Sequence, residues 1–388
     1  MTVAYTVERF PVLSQTFVRN EIAELRRQGV DVVVAALWRG DDLGDEQLPA
    51  PYLVGARPRS RRTVAREHLR WLVRRPAGYV RFVVTARRLG EEARRCVWRR
   101  LPGLAAELDR QGVDRLHAHF AWGGAALAML LSKLTGWPWA LTVHAADIFV
   151  DRRNLELKLR DTDLLVTVCD YNADYLREQL GLQREVAKVI CGVEVPPMPA
   201  PAERSIDLLF IGRLVSKKGV DVLLQAFATV AATRPATRLD IVGTGPLLAD
   251  LTELAATRGV ADRVTFRGAV PHDEVLDLLA DARVLCLPAR VAPDGDVDSM
   301  PLVIKEAMAR CTAVVASDAG GVAEMVDETT GLLVPPDDAD ALAAALAKVL
   351  DDDDLRAQLA AAGRARVEAE FSLPGEVAKL RGLLNAMR

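Results

Sequence analysis

The chain has 388 residues, of which 50% are hydrophobic and 27% are charged, with a formal net charge of −3. This composition is ordinary for a soluble globular protein, and the length exceeds one comfortable core, so we expect two domains. No run of about 18 apolar residues occurs, so we predict no transmembrane helix. The N-terminus turns polar too early for a signal peptide, and the five cysteines include no C-x-x-C pair. We therefore expect a cytoplasmic protein with reduced thiols.

Short β-branched runs alternate with amphipathic helical patterns along the whole chain. The first half predicts strands near residues 3–6, 30–36, 115–118, 139–143, 164–168 and 186–190. Amphipathic helices are predicted near 16–28, 121–135 and 171–180. The second half predicts strands at 207–211, 238–242, 264–267, 283–287, 313–316 and 332–334. Continuous apolar strands separated by helices indicate parallel sheets covered on both faces.

The stretch from Arg57 to Arg100 is strongly basic, with fifteen Arg, no Lys and three Glu, and the rest of the chain is correspondingly acidic. Apolar and Arg positions are interleaved at helical spacing. The pattern predicts either a segment that lies on an anionic membrane surface or receives an acidic acceptor, or a solvated pair of Arg-rich helices. It has no recognised nucleic-acid motif, so we expect no nucleic-acid binding.

A proline-rich stretch separates the two series of strands, with four prolines in residues 196–201, and it predicts a stiff connector. We therefore predict an α/β protein with a Rossmann-like domain at 1–195, a linker at 196–204, a second Rossmann-like domain at 205–370 and a closing helix at 371–388. Ligands of such sheets collect outside the carboxyl ends of the strands, so we expect a site in a cleft between the domains.

Basic residues follow the first strand of the second series. Arg213 and Lys218 come after strand 207–211 and before an apolar helical pattern, with glycines beside them. This arrangement presents charge to a phosphate at the carboxyl edge of a sheet. Arg binds two phosphate oxygens at once, whereas Lys acts as a point charge. For Lys217 an exposed position at a turn is a plausible alternative.

The next strand is followed by Gly243-Thr-Gly245-Pro, which is similar to the opening of a dinucleotide fingerprint. The third glycine position is Leu248, and no acid follows at the usual distance, so a dehydrogenase is disfavoured. A tight turn that lets a nucleotide base or ribose approach the backbone and a plain turn both stay open.

The most informative segment runs from Asp298 to Glu306, with the sequence Asp-Ser-Met-Pro-Leu-Val-Ile-Lys-Glu. It places a loop carboxylate and a helix carboxylate eight positions apart, with Pro301 where a helix begins. Carboxylates accept hydrogen bonds from vicinal hydroxyls, and the free N–H groups of a helix start hold phosphate oxygens. Together with the upstream cations, the segment predicts a sugar nucleotide as ligand. Without those cations, the segment would be interpreted as a pair of acidic surface residues that flank a capped helix.

Two other pairs suggest metal ligands. Asp294 and Asp296, two positions apart, would suit a divalent cation or a polar loop, and we favour the loop. His117 and His119 end a strand, so both imidazoles share a face. No third ligand stands at a convincing spacing, so we favour a structural or acceptor-side role and predict no metal site.

Polar residues also follow strands of the first half. His144 and Asp147 come after strand 139–143, where they form either a polar contact to a substrate hydroxyl or phosphate or a loop-ordering pair. Ser14 or Thr16 is a natural N-cap of the first helix. A second substrate is expected to touch that loop.

Motifs of both halves occur in a familiar order. The second half contributes Gly212-Arg-Leu…Lys218-Gly, Val242-Gly-Thr-Gly-Pro, Phe266-Arg-Gly, Asp298-x7-Glu306-Ala-Met-Ala and Gly320-Gly-Val-Ala-Glu324. The first half contributes Phe10-Pro-Val-Leu-Ser-Gln-Thr-Phe, His117-Ala-His-Phe120 and His144-Ala-Ala-Asp147. Together they resemble family 4 glycosyltransferases, which are retaining enzymes of the GT-B fold, and in particular the branch that builds exopolysaccharide and colanic-acid-type glycans. The similarity covers nearly the whole chain and is weakest from 41 to 100. Phe371-Ser372 is similar to the family's entry into a closing helix that packs back on the first domain.

The resemblance implies roles for individual residues. The catalytic set would be His144 near the donor sugar and its phosphate, Asp298 near the ring hydroxyls, and Glu306 on the ribose hydroxyls. The donor diphosphate would be bound by Arg213, Lys218, Leu302 and Val303. The nucleoside would be bound by Gly243, Gly245, Arg267 and Glu306. The acceptor side would comprise Ser14, Gln15, Thr16, His119 and Asp147.

Two positions depart from the family pattern. The family usually has Glu-Gly where this chain has Asp298-Ser299, which withdraws the carboxylate by one methylene and replaces a residue free to take unusual dihedrals. A changed donor-sugar preference or a loss of activity would follow. Gln15 stands where the branch commonly has Glu, which affects acceptor handling.

The resemblance implies a hexosyltransferase that uses a UDP- or GDP-sugar and no metal or cofactor. Its acceptor hydroxyl would belong to a lipid-linked saccharide, a polysaccharide or a natural product. The location would be the cytoplasm or the inner face of the plasma membrane. The alternatives on the same fold are a sugar-nucleotide epimerase, a phosphorylase and a non-catalytic nucleotide-sugar-binding protein.

Overall fold

A computed structural model of the protein describes residues 1–12, 15–40, 60–96, 98–198 and 203–387. The chain divides into two compact units. The first unit takes its described residues from 1–168, 172–190 and 376–388, and the second from 169–171 and 191–375. Each unit is built around one six-stranded sheet.

The sheet of the first unit consists of parallel strands β1 (Thr2–Phe10), β2 (Asp31–Arg39), β3 (Arg115–His119), β4 (Trp139–Val143), β5 (Leu164–Thr167) and β6 (Ala187–Lys188). Their order is β2-β1-β3-β4-β5-β6. β4 is buried along its whole length, as expected for a parallel strand covered on both faces. The strands predicted for the first half of the chain are confirmed, with ends shifted by up to four residues.

The sheet of the second unit consists of parallel strands β7 (Ile206–Ile211), β8 (Leu239–Val242), β9 (Val264–Gly268), β10 (Ala282–Leu287), β11 (Ala313–Ser317) and β12 (Leu332–Val334). Their order is β12-β11-β10-β7-β8-β9. The predicted strands of this half are confirmed to within one residue, because their apolar runs are short and sharply bounded by polar turns.

Helices connect the strands in both units. Up to the end of the first series they are α1 (Thr16–Arg27), α2 (Arg61–Arg74), α3 (Pro76–Leu89), α4 (Glu91–Arg95), α5 (Leu101–Arg110), α6 (Gly123–Thr135), α7 (Ala146–Phe149), α8 (Leu155–Asp161) and α9 (Asp170–Glu178). After it they are α10 (Val220–Thr233), α11 (Leu248–Thr257), α12 (His272–Asp281), α13 (Leu302–Met308), α14 (Ala339–Asp351), α15 (Asp353–Glu370) and α16 (Leu373–Ala386).

Each sheet has a topological switch point, where the strand order reverses its direction. In the first unit it lies between β1 and β3, and in the second between β7 and β10. Loops that leave neighbouring strands there diverge to opposite sides of the sheet, and ligands of such folds bind outside the carboxyl ends of these strands. The switch points therefore locate the candidate sites.

The last helix packs mainly on the first unit. The carboxylate of Glu376 accepts a hydrogen bond from the backbone N–H of Ile190 at 2.8 Å, and Arg381 donates to the carbonyl of Gln28 at 3.2 Å. Leu384 is fully buried. The predicted return of the closing helix to the N-terminal domain is confirmed.

The chain enters and leaves the second unit at one place. The N–H of Val193 donates to the carbonyl of Phe371 at 3.0 Å, and the N–H of Leu373 donates to the carbonyl of Val193 at 2.9 Å. The pairing forms a short parallel bridge, so the two ends of the second unit lie side by side.

Candidate active site

The loop after β7 carries the predicted phosphate-binding cations. A 3₁₀ turn covers Ser216–Lys218, and α10 begins at Val220. Arg213 is exposed, and its guanidinium has no hydrogen-bond partner among the residues that the structure describes. The predicted order of strand, cations and helix is confirmed, and the loop lies at the switch point of the second sheet.

Lys217 and Lys218 hold two carboxylates from the loop after β10. The Nζ of Lys217 lies 2.9 Å from Asp296 Oδ1 and 3.2 Å from Asp298 Oδ1. The Nζ of Lys218 lies 2.5 Å from Asp298 Oδ2. Lys217 is buried, so its predicted alternative, an exposed position at a turn, is wrong. A buried ammonium requires a paired carboxylate, which is why this lysine occurs with two. We call these four residues the lysine–aspartate cluster.

The two ammonium groups of the cluster balance its two carboxylates. Burial raises the pKa of Asp298, but Lys218 and Lys217 together outweigh it, and the net pKa lies below its ordinary value. The carboxylate is therefore ionised at neutral pH. Arg213 adds one exposed positive charge on the loop that carries the two lysines.

Asp294 has a local role in the same loop. Its Oδ1 accepts a hydrogen bond from the N–H of Asp296 at 3.0 Å, and Gly295 between them has a φ of 84°. The side chain of Asp296 is bound by Lys217. The geometry favours the polar-loop interpretation of this pair over a cation site.

Two glycines pack against the backbone of Asp298 and Ser299. A Cβ at Gly320, where φ is 61°, would lie 2.0 Å from the carbonyl oxygen of Asp298, and a Cβ at Gly321 would lie 2.0 Å from that of Ser299. Ser299 is buried and does not have a positive φ. The replacement of the family's glycine by Ser299 therefore creates no backbone strain here, because the conformation that only glycine favours is not used.

Gly243 and Gly245 join two loops of the second unit. The N–H of Leu214 donates to the carbonyl of Thr244 at 2.9 Å. A Cβ at Gly243 would lie 1.9 Å from the carbonyl oxygen of Gly212, and one at Gly245 would lie 2.3 Å from that of Leu214. The glycines are thus needed for close approach to the loop that carries Arg213, which is a structural reason for this motif.

The nucleoside role of Arg267 stays a prediction. In the structure its guanidinium binds the carboxylate of Asp240, with Nε and Nη2 at 2.9 and 2.6 Å from Oδ2. This pairing orients Arg267 at the carboxyl end of β9.

Helix α13 begins directly after Pro301, as predicted, and its first residues are Leu302 and Val303. The first N–H groups of a helix have no partner within it. Glu306 is buried on this helix, and its Oε1 lies 3.7 Å from Nε2 of His272. Burial raises the pKa of Glu306, and His272 offsets part of that rise. His272 was not among the predicted site residues. Its position at the start of α12, just after β9, is the sequence feature that could have indicated it.

Histidines and a glutamate form a buried cluster at the switch point of the first sheet. His119 Nε2 lies 2.9 Å from Glu21 Oε1, and His119 Nδ1 lies 3.1 Å from His144 Nε2. The hydroxyl of Tyr5 donates to the same glutamate oxygen. His117 Nε2 lies 2.8 Å from the hydroxyl of Thr142. Glu21 was missed, although it follows Val18 by three residues on the apolar stripe of α1, where a carboxylate is unusual.

Burial sets the protonation of this cluster. Burial, aided by the charge of His119, lowers the pKa of His117 to about 3, and burial lowers the pKa of His144 well below its ordinary value. Burial raises the pKa of Glu21, but His119, His117 and Tyr5 outweigh it and lower the net value. At neutral pH the carboxylate is ionised, and the rings of His117 and His144 are neutral.

Glu21, His117 and His119 place three potential metal-ligand atoms within 4.8 Å of one another. Glu21 is therefore a third potential ligand beside the two histidines, which the spacing in the sequence could not reveal. However, the 2.9 Å between Glu21 and His119 is a hydrogen-bond distance, whereas two ligands of a tetrahedral zinc ion stand roughly 3.3 Å apart. We interpret the cluster as hydrogen-bonded.

Asp147 orders the loop after β4. Its carboxylate accepts hydrogen bonds from the N–H groups of Ala121 at 2.9 Å and His144 at 3.0 Å. The residue is fully buried, and burial raises its pKa to about 6. The geometry favours the loop-ordering interpretation of the pair His144 and Asp147.

The first loop of the predicted acceptor side lies only partly within the described residues. Ser14 lies outside them. Helix α1 begins at Thr16 with Gln15 as its N-cap, and Gln15 makes no side-chain capping bond. The prediction of Thr16 as N-cap is wrong by one residue. The roles of Gln15 and Thr16 toward an acceptor stay predictions.

Helices α2 and α3 present an exposed surface that is both apolar and basic. Its most exposed apolar residues are Leu69, Leu72, Val73, Val80 and Val84. Residues 60–90 contain nine Arg and one Glu. The inner faces of the helices are anchored by Trp71 and Phe82, which are buried. Among the described residues, no helix is both long and apolar enough to cross a bilayer.

Two family models cover nearly all of the chain. Residues 14–195 match the model described as "Glycosyltransferase Family 4", and residues 197–366 match "Glycosyl transferases group 1". A putative colanic acid biosynthesis glycosyltransferase, WcaL of Escherichia coli, is 30% identical over 100% of both chains. The chain belongs to the family 4 glycosyltransferases. The resemblance inferred from its motifs, including the resemblance to the colanic-acid-type branch, is confirmed. The prediction that the protein is an enzyme, a glycosyltransferase, is confirmed as well.

Two further relatives extend the comparison. A GDP-mannose-dependent monoacylated alpha-(1-6)-phosphatidylinositol monomannoside mannosyltransferase of Corynebacterium glutamicum is 34% identical over 57% of the transferase and 61% of its own length. The crystal structure of Anabaena Alr3699/HepE in complex with UDP-glucose matches with a TM-score of 0.73 and 17% identity over 100% of both chains. The two parallel sheets and this likeness identify the GT-B fold, as predicted.

Proposed function

We propose that the transferase moves a hexosyl group, with retention, from a nucleotide diphosphate sugar to an acceptor hydroxyl. The observation that carries the proposal is the lysine–aspartate cluster at the switch point of the second sheet, with Arg213 exposed on the same loop. An exposed guanidinium beside two lysine ammonium groups at the carboxyl ends of β7 and β10 favours a polyanion, and a diphosphate is the polyanion that such loops bind.

The protein's main contribution would be to the leaving group. As the bond between the sugar C1 and the phosphate oxygen breaks, charge develops on the diphosphate, and Arg213, Lys218 and the N–H groups of Leu302 and Val303 would stabilise it. The acceptor oxygen would attack C1 from the same face, and the leaving phosphate would take the acceptor proton. No protein base is required in this scheme.

Lys217 and Lys218 have different contacts in the cluster, and we assign them different roles. Lys217 has two carboxylate partners and stays anchored, whereas Lys218 contacts only Asp298 within the cluster. We propose that Lys218 turns to the diphosphate when the donor binds. Asp298, still held by Lys217, would then accept hydrogen bonds from the ring hydroxyls of the sugar.

Glu306 would bind the ribose, and Gly243, Gly245 and Arg267 would lie beside the nucleoside. Of the named relatives, one is GDP-mannose-dependent and another was solved in complex with UDP-glucose. We propose a UDP- or GDP-hexose.

The decisive experiment is a panel of UDP- and GDP-hexoses tested for slow hydrolysis without an acceptor. One donor is expected to release its nucleoside diphosphate well above the others. Saturable binding with neither hydrolysis nor transfer would instead indicate a non-catalytic protein. Conversion of the sugar without nucleotide release would indicate an epimerase, and pyridoxal absorbance would indicate a phosphorylase.

We also propose that α2 and α3 dock on an anionic bilayer, which would present a lipid-linked saccharide as acceptor, as in polysaccharide biosynthesis. The support is charge complementarity together with exposed side chains such as Leu69 and Val73, which are 59% and 75% exposed. Arg side chains bind anionic headgroups, while the apolar residues enter the interface.

Vesicle co-sedimentation tests this docking. Binding is expected to vesicles that contain phosphatidylglycerol, to be lost in pure phosphatidylcholine, and to weaken at high salt. The variant Leu69→Ser/Val73→Ser should bind less, while Val150→Ser, which also removes an exposed valine of the first unit, should not. Equal binding of both variants would mean that α2 and α3 are merely solvated helices.

A further inference from the structure

Two aromatic side chains follow β3 at the switch point of the first sheet. The rings of Phe120 and Trp122 are stacked, with a centroid distance of 4.9 Å and an interplanar angle of 7°. Both residues are half-buried, so each keeps some surface in contact with solvent. Phe120 covers one face of the indole, so the exposed part of Trp122 lies on its other face or at its edge. We call this pair the aromatic platform.

The platform is continuous with the candidate site at His144. Phe120 has a φ of 63°, which lies in the left-handed region that residues other than glycine rarely adopt. Its N–H donates to the carbonyl of Thr142 at 2.9 Å, and its ring lies 4.3 Å from the ring of His144. Backbone conformations of this kind cluster at ligand-binding and active sites. The loop after β3 is therefore a candidate for ligand binding.

A carboxylate lies beside the platform. Glu8, near the carboxyl end of β1, accepts a hydrogen bond at Oε2 from the N–H of Gly123 at 3.1 Å. Gly123 directly follows Trp122 in the chain. Glu8 is half-buried, and its Oε1 has no hydrogen-bond partner among the residues that the structure describes. One carboxylate oxygen can therefore accept a hydrogen bond close to the backbone that carries the indole.

An aromatic face beside a carboxylate suits a neutral sugar ring. A pyranose has C–H groups on its faces and hydroxyl groups around its rim. The face of an aromatic ring carries partial negative charge and attracts such C–H groups. A carboxylate oxygen accepts hydrogen bonds from hydroxyls. A purely apolar ligand would leave Glu8 without a partner, and the charge of Glu8 would repel a phosphate.

We propose that the aromatic platform and Glu8 form a subsite for a neutral sugar ring of the acceptor. The ring stacks on Trp122, and one of its hydroxyls donates to Glu8. The inference rests on the proposed function and narrows the acceptor to a molecule that presents such a ring. Because Phe120 contacts His144, which is expected beside the donor sugar, the stacked ring lies next to the sugar that is transferred.

Sugar binding can be measured without a donor. The chain has six tryptophans, and Trp122→Phe identifies the indole N–H signal of Trp122 in a proton–nitrogen NMR spectrum by its loss. The probes are the methyl α- and β-pyranosides of glucose, galactose and mannose. At least one of them should shift the Trp122 signal saturably. The signal of Trp137, which is half-buried before β4 at the opposite edge of the same sheet, should not move.

Substitutions separate stacking from hydrogen bonding. Trp122→Leu and Glu8→Ala should each weaken binding of the methyl pyranoside about tenfold, since the loss of one aromatic or hydrogen-bonding partner costs on this scale. Saturation transfer to the C–H protons of the sugar measures this loss. Glu8→Gln, which keeps an accepting oxygen, should recover part of the affinity.

Trp137→Leu is the matched control, because it removes a half-buried tryptophan of the same unit, and it should bind the sugar as the wild type does. If Trp122→Leu does not fold, Trp122→Phe keeps a smaller ring and should show a smaller loss. Equal losses in the Trp122 and Trp137 variants would overturn the proposal.

Transfer gives a second test. With a donor that the protein hydrolyses, the methyl pyranoside that binds is offered as acceptor. Trp122→Leu should lower the ratio of transfer to donor hydrolysis about tenfold, because attack by water needs no stacking. An unchanged ratio would overturn the subsite.

The two proposals fail separately. A protein that hydrolyses no nucleotide sugar would refute the proposed function, while the NMR titration still decides whether the platform binds a sugar. Donor hydrolysis in a protein whose Trp122 signal responds to none of the methyl pyranosides would refute the subsite alone.

Discussion

The switch points of the two units share a topology but not a chemistry. In the second unit, full charges meet in the lysine–aspartate cluster, and the exposed guanidinium of Arg213 lies on the loop that carries its lysines. In the first unit, imidazoles surround one ionised glutamate in a fully buried network. Cations near solvent suit an anion, whereas buried imidazole donors and acceptors suit hydroxyls. The same structural position therefore carries two kinds of chemistry, which are decided by the residues that follow each strand.

Removing Lys217 should give the largest effect, and the effect should be on stability. Lys217→Ala leaves Asp296 without its cation and Asp298 with one, and breaking a buried pair costs about 3–5 kcal/mol. Urea denaturation measures the loss. The double variant Lys217→Ala/Asp296→Asn should lose less than the sum of the single changes, and strict additivity would argue against the cluster.

Lys218→Ala should instead affect turnover. We expect a fall of about 10²–10³-fold with the preferred nucleotide hexose, since one donor to the developing charge is removed. Lys348→Ala, which removes an exposed lysine on α14 of the same unit, is the control and should retain full activity. Unchanged turnover in Lys218→Ala would refute the proposed diphosphate site.

Acid should destabilise the first unit through its histidines. The pKa of His117 is about 3 in the folded protein, so the unfolded chain takes up the proton first, and stability falls as pH drops below about 6.5. His144 acts in the same direction. Asp147 has the opposite effect on stability. Its pKa is about 6 in the folded protein, so the folded state takes up this proton before the unfolded chain does, and stability rises as pH falls toward about 4.

The net change between about pH 6.5 and 4 should be a loss of stability, measured by urea denaturation, because two histidines act against one carboxyl group. Asp147→Asn should steepen this loss, and His117→Asn should reduce it. A stability that rises on acidification across this range would show that the imidazoles are not held neutral.

The smallest effect should come from a chelator. If the cations of the second unit neutralise the leaving group, EDTA should leave turnover unchanged. Loss of activity that Mg²⁺ restores would make Asp294 and Asp296 cation ligands. Loss that only Zn²⁺ restores would point to the histidine cluster and would reverse the contrast between the two switch points.

The strands could be predicted because each is a short apolar run with polar ends, a local property of the sequence. The switch-point cations could be predicted for the same reason, since they directly follow β7. The side chains that these polar residues contact could not be predicted from the sequence. Lys217 meets Asp296 across 79 positions, and Glu21 meets His119 across 98. Such pairs depend on strand order, which no local pattern of residues contains. Lys217 was interpreted as exposed at a turn, because most lysines at turns are exposed.

The bridge between Val193 and Ser372 means that the second unit behaves as an insertion in the chain of the first. Because both ends of the inserted segment are already adjacent, joining them by a short peptide and opening the chain in an exposed loop would give a circular permutant with little cost in conformational entropy. Under the proposed function this second unit would hold the donor, so exchanging it between relatives as one continuous segment is expected to move donor preference with it.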